Sequence, residues 1–280
     1  PRLIYCSMTA FGQEGPRGHM TAYDHAIQST SGMMRTTGTE EVNPIKVGSP
    51  VIDYAVGTMN AFALSAALFQ REKTGKGQYI DLALLDSMVA TLSHRGMQYL
   101  ISGKTAPRRG NVGGGGSPSQ AFRCADGLIV LTVGNDLQWR RFCDAIGEPA
   151  LSLEPKFMNA TSRIENRELL TPTLEAKFST NTRAHWLDVL GRAGFPSGPV
   201  NELDDVFADP QVRERGMVVP ATHPISQQLP LIANPIRFSD TPLNRYDAPP
   251  MLGEHTEQVL RDVLGCTDTD IENLKVANAI

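Results

Sequence analysis

The chain has 280 residues, 41% hydrophobic and 20% charged, which is the mix of a folded protein able to bury a core. A net charge of −4 gives no electrostatic case for nucleic acid or an anionic membrane surface as partner. Cys6, Cys124, Cys143 and Cys266 are scattered, with no C-x-x-C pair, so neither a zinc site nor a disulfide framework is expected, and reduced thiols in a cytoplasmic protein are the simplest reading.

In chain order, Arg2–Met8 (RLIYCSM) reads as a buried strand that ends at Phe11-Gly12. A strand this close to Pro1, with no initiating methionine, suggests the later portion of a longer protein. Gly12–Gly18 is loop, Tyr23–Ser31 is a helix candidate, and Thr36–Pro50 is punctuated by Gly and Pro. Ala55–Arg71 is the clearest helix, with Val56, Met59, Phe62, Ala63, Ala66 and Phe69 on one face of a 3.6-residue period and Gly75 and Gly77 as its stop. No apolar run is expected to reach membrane-spanning length. Tyr79–Leu84 alternates as a strand, and Asp86–Leu100 reads as one helix capped by Asp86. This is α/β order.

Gly103–Ser119 changes texture and reads as a linker. A hairpin follows, Gln120–Cys124 and Leu128–Val133 around Ala-Asp-Gly. Helix patterns cover Leu137–Ile146, Arg163–Phe178 (interrupted at Pro172) and Ala184–Ala193. This texture predicts a smaller α+β domain to about Phe207. Val218–Phe238 is extended and proline-rich, and two last helices are predicted from Gly253–Thr256 to Leu264 and over Asp268–Val276.

Asp53 precedes the clearest helix. By spacing alone its commoner use is an N-cap. A carboxylate there also stays ionised at neutral pH and can attack a thioester carbonyl. The run Gly113, Gly114, Gly115, Gly116 is either a flexible linker or a loop whose N–H groups point at an oxyanion; Asn111 and Ser117-Pro118 on its flanks suggest a defined turn. Thr21-Ala22-Tyr23-Asp24, taken alone, reads as a capped helix start with a packed Tyr. Arg108-Arg109 reads as solvated surface. The six histidines lack paired-ligand spacing, so no metal is expected, and neither G-x-S-x-G nor a Walker motif occurs.

Taken together, RLIYCSMTAFG, Tyr23-Asp24, Lys46–Asp53, REKTGKGQYIDLALLD, NVGGGGSP and LGEHT resemble the class III coenzyme A transferases, the CaiB/BaiF type that includes formyl-CoA transferase and carnitine CoA-transferase. The resemblance runs nearly end to end and lacks the family's N-terminal portion. It implies an α/β fold: a Rossmann-like large domain, incomplete at its N-terminus, with a smaller α+β domain, in an interlocked homodimer. The implied boundaries are 1–102 for the central part of the large domain, 103–119 for the linker with the glycine loop, 120–207 for the small domain and 208–280 for the return. Asp53 matches the nucleophile. Thr21, Ala22, Tyr23 and Asp24 match a segment lining the coenzyme A site, with Asp24 where formyl-CoA transferase has Glu. Gly113–Gly116 with Ser117 match the glycine loop, with Ser117 in place of Gln.

The implied activity moves coenzyme A from an acyl-CoA to a free carboxylic acid through mixed-anhydride and aspartyl-CoA thioester intermediates. Acyl-CoA and acid are substrates, and no cofactor is bound permanently. Two alternatives stand beside this activity: an α-methylacyl-CoA racemase of the same fold and, from another class, a catalytically silent CoA-binding or scaffold subunit. Family racemases carry His where Tyr23 stands here, and Tyr, with a pKa of about 10, is a poor base at neutral pH. The donor and acceptor acids are not specified by the sequence.

Overall fold

The computed structural model describes residues 1–113 and 116–280; Gly114 and Gly115, part of the glycine run, lie outside the described residues. The chain divides into two units, 1–200 and 201–280.

The first half of the larger unit runs β1 (Tyr5–Thr9), α1 (Asp24–Thr30), α2 (Met33–Thr36), α3 (Val51–Thr74), β2 (Tyr79–Ala83), α4 (Leu84–Thr91) and α5 (Ser93–Ser102). β1 and β2 pair in parallel, Tyr5 opposite Tyr79 through Thr9 opposite Ala83, and the Tyr5 and Tyr79 rings stack at 5.8 Å. A parallel pair requires a crossover, which α1 to α3 supply. Gly77 is needed where the chain enters β2, because a Cβ there would collide with the Leu3 carbonyl. The core beneath is small: Ala10, Ile27, Ile52, Val56, Leu84 and Met88.

Two expectations change here. The predicted single helix over Asp86–Leu100 is two, broken at Ser93, whose φ of 44° is unfavourable for a residue with a Cβ. Asp86 sits within the first turn of α4 and Ala83 is the N-cap, because β2 passes straight into the helix.

α3 is longer than its periodicity indicated, and its buried stripe is not the expected one. Ile52, Val56 and Ala67 are buried, while Tyr54, Phe62 and Phe69 are exposed at 72%, 77% and 64%. The helix is apolar nearly all round, so periodicity could not select its inner face. By length and composition this 24-residue helix could also cross a membrane, which corrects the sequence expectation that no run approached that length.

The second half of the unit comprises β3 (Ser119–Cys124), β4 (Gly127–Thr132), α6 (Asp136–Ala145), a 3-10 turn (Pro149–Leu153), α7 (Ala160–Glu165), α8 (Arg167–Phe178), α9 (Arg183–Arg192) and β5 (Ser197–Pro199). β3 and β4 form the expected hairpin, and β5 joins β4 antiparallel. Its core is larger and aromatic: Phe122, Trp139, Phe142, Phe178, Trp186 and Phe195, with Phe122 and Phe178 5.2 Å apart and Trp186 edge-on to Phe178 at 5.1 Å. Offset and edge-on ring pairs add to simple burial. Cys143 lies in this core; burial first, then the neighbouring Asp144 charge, pushes its thiol up to about 12, so it stays protonated. The predicted helix over Arg163–Phe178 breaks at Asn166, whose side chain donates to the Ser162 carbonyl at 2.9 Å, and not at Pro172, which sits inside α8.

The smaller unit holds α10 (Leu203–Ala208), α11 (Pro210–Glu214), β6 (Val218–His223), β7 (Gln227–Ile232), α12 (Thr256–Asp262) and α13 (Asp268–Val276). β6 and β7 form an antiparallel hairpin within the stretch expected to be merely extended. Among the described residues only Ala221, Ala233 and Ile271 are buried hydrophobics of this unit. Charge ties α12 to α13, through Arg261–Asp268 at 3.0 Å and Lys275–Glu257 at 2.6 Å.

Candidate active site

The site is built where α1 meets the start of α3. Tyr23 is the extended N-cap of α1 and is 88% exposed. Asp24 follows and turns inward, only 8% exposed. One carboxylate oxygen accepts from the Gln28 side-chain amide at 2.6 Å, and the other accepts from the backbone N–H of Ile52 at 2.8 Å. Gln28, fully buried one turn along, accepts from the Val47 N–H at 2.9 Å. Asp24 and Gln28 therefore hold the segment Val47–Ile52 at both ends. Thr21 is exposed and Ala22 packs on the small core.

This arrangement changes the reading of Asp53. The helix starts at Val51, with Pro50 as N-cap, so Asp53 is inside the first turn and is not the cap. Asp24, from another helix, accepts the α3 amide that a local cap would have taken. Asp53 is thereby left exposed, with its carboxylate at the positive end of a long helix. An anion so placed is favoured electrostatically and open to a substrate.

Replacing Asp24 by alanine leaves the Ile52 and Gln28 donors without partners. The expected loss is about 1–3 kcal/mol of stability, measured by urea denaturation. A loss below about 0.5 kcal/mol would show that water replaces the carboxylate at no cost.

Gly113 and Gly116, the described ends of the glycine run, both lie close against neighbouring backbone. The Gly113 N–H donates to the Ser119 carbonyl at 2.8 Å, and the Val133 N–H donates to the Pro118 carbonyl at 2.8 Å. A Cβ on Gly113 would strike the Ser119 hydroxyl, and one on Gly116 would lie 2.7 Å from the Val133 carbonyl oxygen. Ser117 is buried, with its carbonyl accepting from Arg163 Nε at 2.7 Å. On the other flank Arg108, expected on a solvated surface, is buried at 8% exposure and pairs with Glu40 at 3.2 Å; Arg109 is exposed. The Gly110 N–H donates to the Gly38 carbonyl at 2.8 Å, docking this segment on the loop that leads to Asp53. The structure thus joins Tyr23–Asp24 to the start of α3. Among the described residues no hydrogen bond joins the glycine run to Asp53.

Sequence reasoning missed Gln28, Arg163 and Arg167. Gln28 stands one helical turn from Asp24, a spacing that brings side chains together and was the available signal. Among the described residues no group of three His, Cys, Asp or Glu side chains gathers as a metal site would require. A concave region of about 620 Å³ in the smaller unit is lined by Arg215, Asn234, Arg237 and Tyr246, and no candidate site residue reaches it.

The sequence pattern described as CoA-transferase family III matches residues 1–256. The chain belongs to CoA-transferase family III. It is 37% identical over 280 residues to succinyl-CoA:glutarate CoA-transferase of Mus musculus, covering 100% of the chain and 64% of that relative. It is 38% identical over 264 residues to succinate–glutarate CoA-transferase of Agrobacterium fabrum, covering 94% of the chain and 66% of the relative. The chain therefore spans just under two thirds of the length of these family III relatives. A crystal structure of a CaiB/BaiF family protein from Brucella suis superposes with a TM-score of 0.82 at 38% identity, covering 92% of the chain and 67% of the other. The mixed α/β fold is that of this CaiB/BaiF structure.

Proposed function

We propose that the chain carries the nucleophile of an enzyme that transfers coenzyme A from an acyl-CoA to a free carboxylic acid. The observation that carries this reading is the exposed Asp53 carboxylate on the first turn of α3, relieved of capping by Asp24. Asp53 attacks the thioester carbonyl, the C–S bond breaks, and the coenzyme A thiolate leaves a mixed anhydride. The thiolate attacks the aspartyl carbonyl, releasing the donor acid and leaving an aspartyl-CoA thioester. The acceptor carboxylate attacks that thioester and again expels the thiolate. The thiolate then attacks the acceptor's carbonyl, giving the new acyl-CoA and free Asp53. Each tetrahedral stage needs oxyanion donors, and in this proposal the glycine run supplies them beyond Gly113, whose own N–H is taken by the Ser119 carbonyl. A loop that excludes water also protects the anhydride from hydrolysis.

Thr21–Asp24 line the coenzyme A side in this reading, and Ser117 belongs to the acid-facing loop. Relatives at 37–38% identity are named for succinyl-CoA, succinate and glutarate, which favours short dicarboxylic acids. The domain division at 1–102, 103–119, 120–207 and 208–280 and the Rossmann-like completion of the larger domain belong to the same proposal. A parallel sheet is rarely stable as two strands with open edges, so β1 and β2 fit a larger sheet. The exposed apolar face of α3, together with Leu100 at 75% and Ile101 at 80% exposure on α5, fits burial against protein in an interlocked homodimer better than a membrane. The proposal includes no permanently bound cofactor, no nucleic-acid partner and a cytoplasmic setting.

The test is an acid screen. Full-length enzyme with succinyl-CoA is expected to form glutaryl-CoA from glutarate faster than the corresponding products from oxalate or carnitine. Transfer to none of them, with rapid deuterium wash-in at the α-carbon of a 2-methylacyl-CoA, would replace this reading by the racemase.

A further inference from the structure

The side chain of Arg163 is 1% exposed, in the core of the domain that follows the glycine run. A buried guanidinium is costly unless every face of it is occupied. Here Nε donates to the Ser117 carbonyl at 2.7 Å, one terminal nitrogen to the Phe157 carbonyl at 3.1 Å, and the other to Asp136 at 3.0 Å, while the cation lies 5.1 Å from the Trp139 ring centre. Packing α7 would be served more cheaply by an apolar residue. What an apolar residue could not do is grip Ser117. One turn on, an Arg167 terminal nitrogen approaches the Gly116 carbonyl at 3.4 Å. Arg167 Nε is buried without a partner among the described residues, and burial, then the Arg109 charge, lower the guanidinium pKa. Both arginines thus reach from α7 and α8 to successive carbonyls where the glycine run rejoins β3, beside the bond from Gly113 to Ser119.

We infer that Arg163 and Arg167 are positioning residues that clamp the Gly116–Ser117 junction, where the chain leaves the glycine run and enters β3. The inference rests on the proposed role of that run in catalysis. The clamp itself is testable without turnover.

Arg163 variants risk unfolding the core, so the decisive variants are Arg167→Leu and Arg167→Lys in the full-length enzyme. Hydrogen exchange at the Gly113 and Val133 amides reports the junction; the Phe195 amide, bonded to the Leu190 carbonyl in the same core, is the control. Arg167→Leu is expected to speed exchange at Gly113 and Val133 by about tenfold, the worth of one hydrogen bond, with Phe195 unchanged. Acyl-CoA hydrolysis without acceptor acid should rise severalfold relative to transfer, and Arg167→Lys should restore most of both. Unchanged exchange at Gly113 and Val133, or equal acceleration at Phe195, overturns the clamp. Absence of transfer by the unmodified enzyme would count against the proposed function and leave the exchange result to decide the clamp.

Discussion

Asp53→Ala in the full-length enzyme is expected to lower kcat/KM for coenzyme A transfer by about 10⁴-fold or more, as loss of a covalent nucleophile does. Acyl-CoA binding should change little, because the removed group reacts with the thioester and does not anchor the nucleotide. Stability should fall by only about 0.5 kcal/mol, the value of an exposed anion near a helix N-terminus. That pairing of a large kinetic and a small structural effect separates Asp53 from Asp24, where stability is expected to move. Incubation with acyl-CoA followed by hydroxylamine should modify the peptide containing Asp53, detectable by mass spectrometry. Undiminished turnover by the alanine variant would remove Asp53 from the mechanism, and an unmodified peptide would argue against the covalent route.

Arg163→Met should destabilise the aromatic-core domain by about 2–4 kcal/mol, because two carbonyls are left without donors at about 1–2 kcal/mol each. The methionine fills much of the volume over Trp139 but donates no hydrogen bond. The Ser117 and Phe157 carbonyls then lose their donor. Asp136 is less of a problem, since its side chain is 47% exposed and can take water. Asp136→Asn keeps an acceptor but removes the counter-charge of the buried guanidinium, and should cost about 1–3 kcal/mol. Chemical denaturation followed by Trp139 and Trp186 fluorescence measures both. A loss below about 1 kcal/mol for Arg163→Met would mean that the buried guanidinium is not holding these carbonyls.

Local pattern located most of the elements. The Ala-Asp-Gly hairpin and the helix over Asp268–Val276 follow from short-range turn and cap chemistry, the latter sealed by a Thr267–Asp270 capping box. The misses have physical causes. The inner face of α3 was hidden because apolar residues cover its outer face as well. The break after α4 comes from one backbone angle at Ser93. The chemistry around Asp53 was legible only as an acid near a helix start. What releases that acid is a bond between Asp24 and Ile52, 28 positions apart, and what grips Ser117 lies 46 positions away at Arg163. Motif spacing records neighbours along a turn, so it could place Asp53 and the glycines but not their supports. Gln28 was partly within reach, being one turn from Asp24.

The pairing of β1 with β2 sets an order of assembly. Tyr5 must find Tyr79, whereas the β3–β4 hairpin needs only Cys124 to meet Gly127. Closing the longer loop carries the larger entropy cost and the slower search, so local contacts form ahead of it. α1 and α3 lie inside that long loop, and the Asp24–Ile52 bond, which spans only 28 positions, can form within it before the strands meet. The hairpin can therefore form early, whereas the aromatic core, which needs β5 to reach β4 with Ile129 opposite Pro199, faces a search much like that of β1 and β2. The support that leaves the Asp53 carboxylate free is thus local to the crossover and does not wait for the parallel pair.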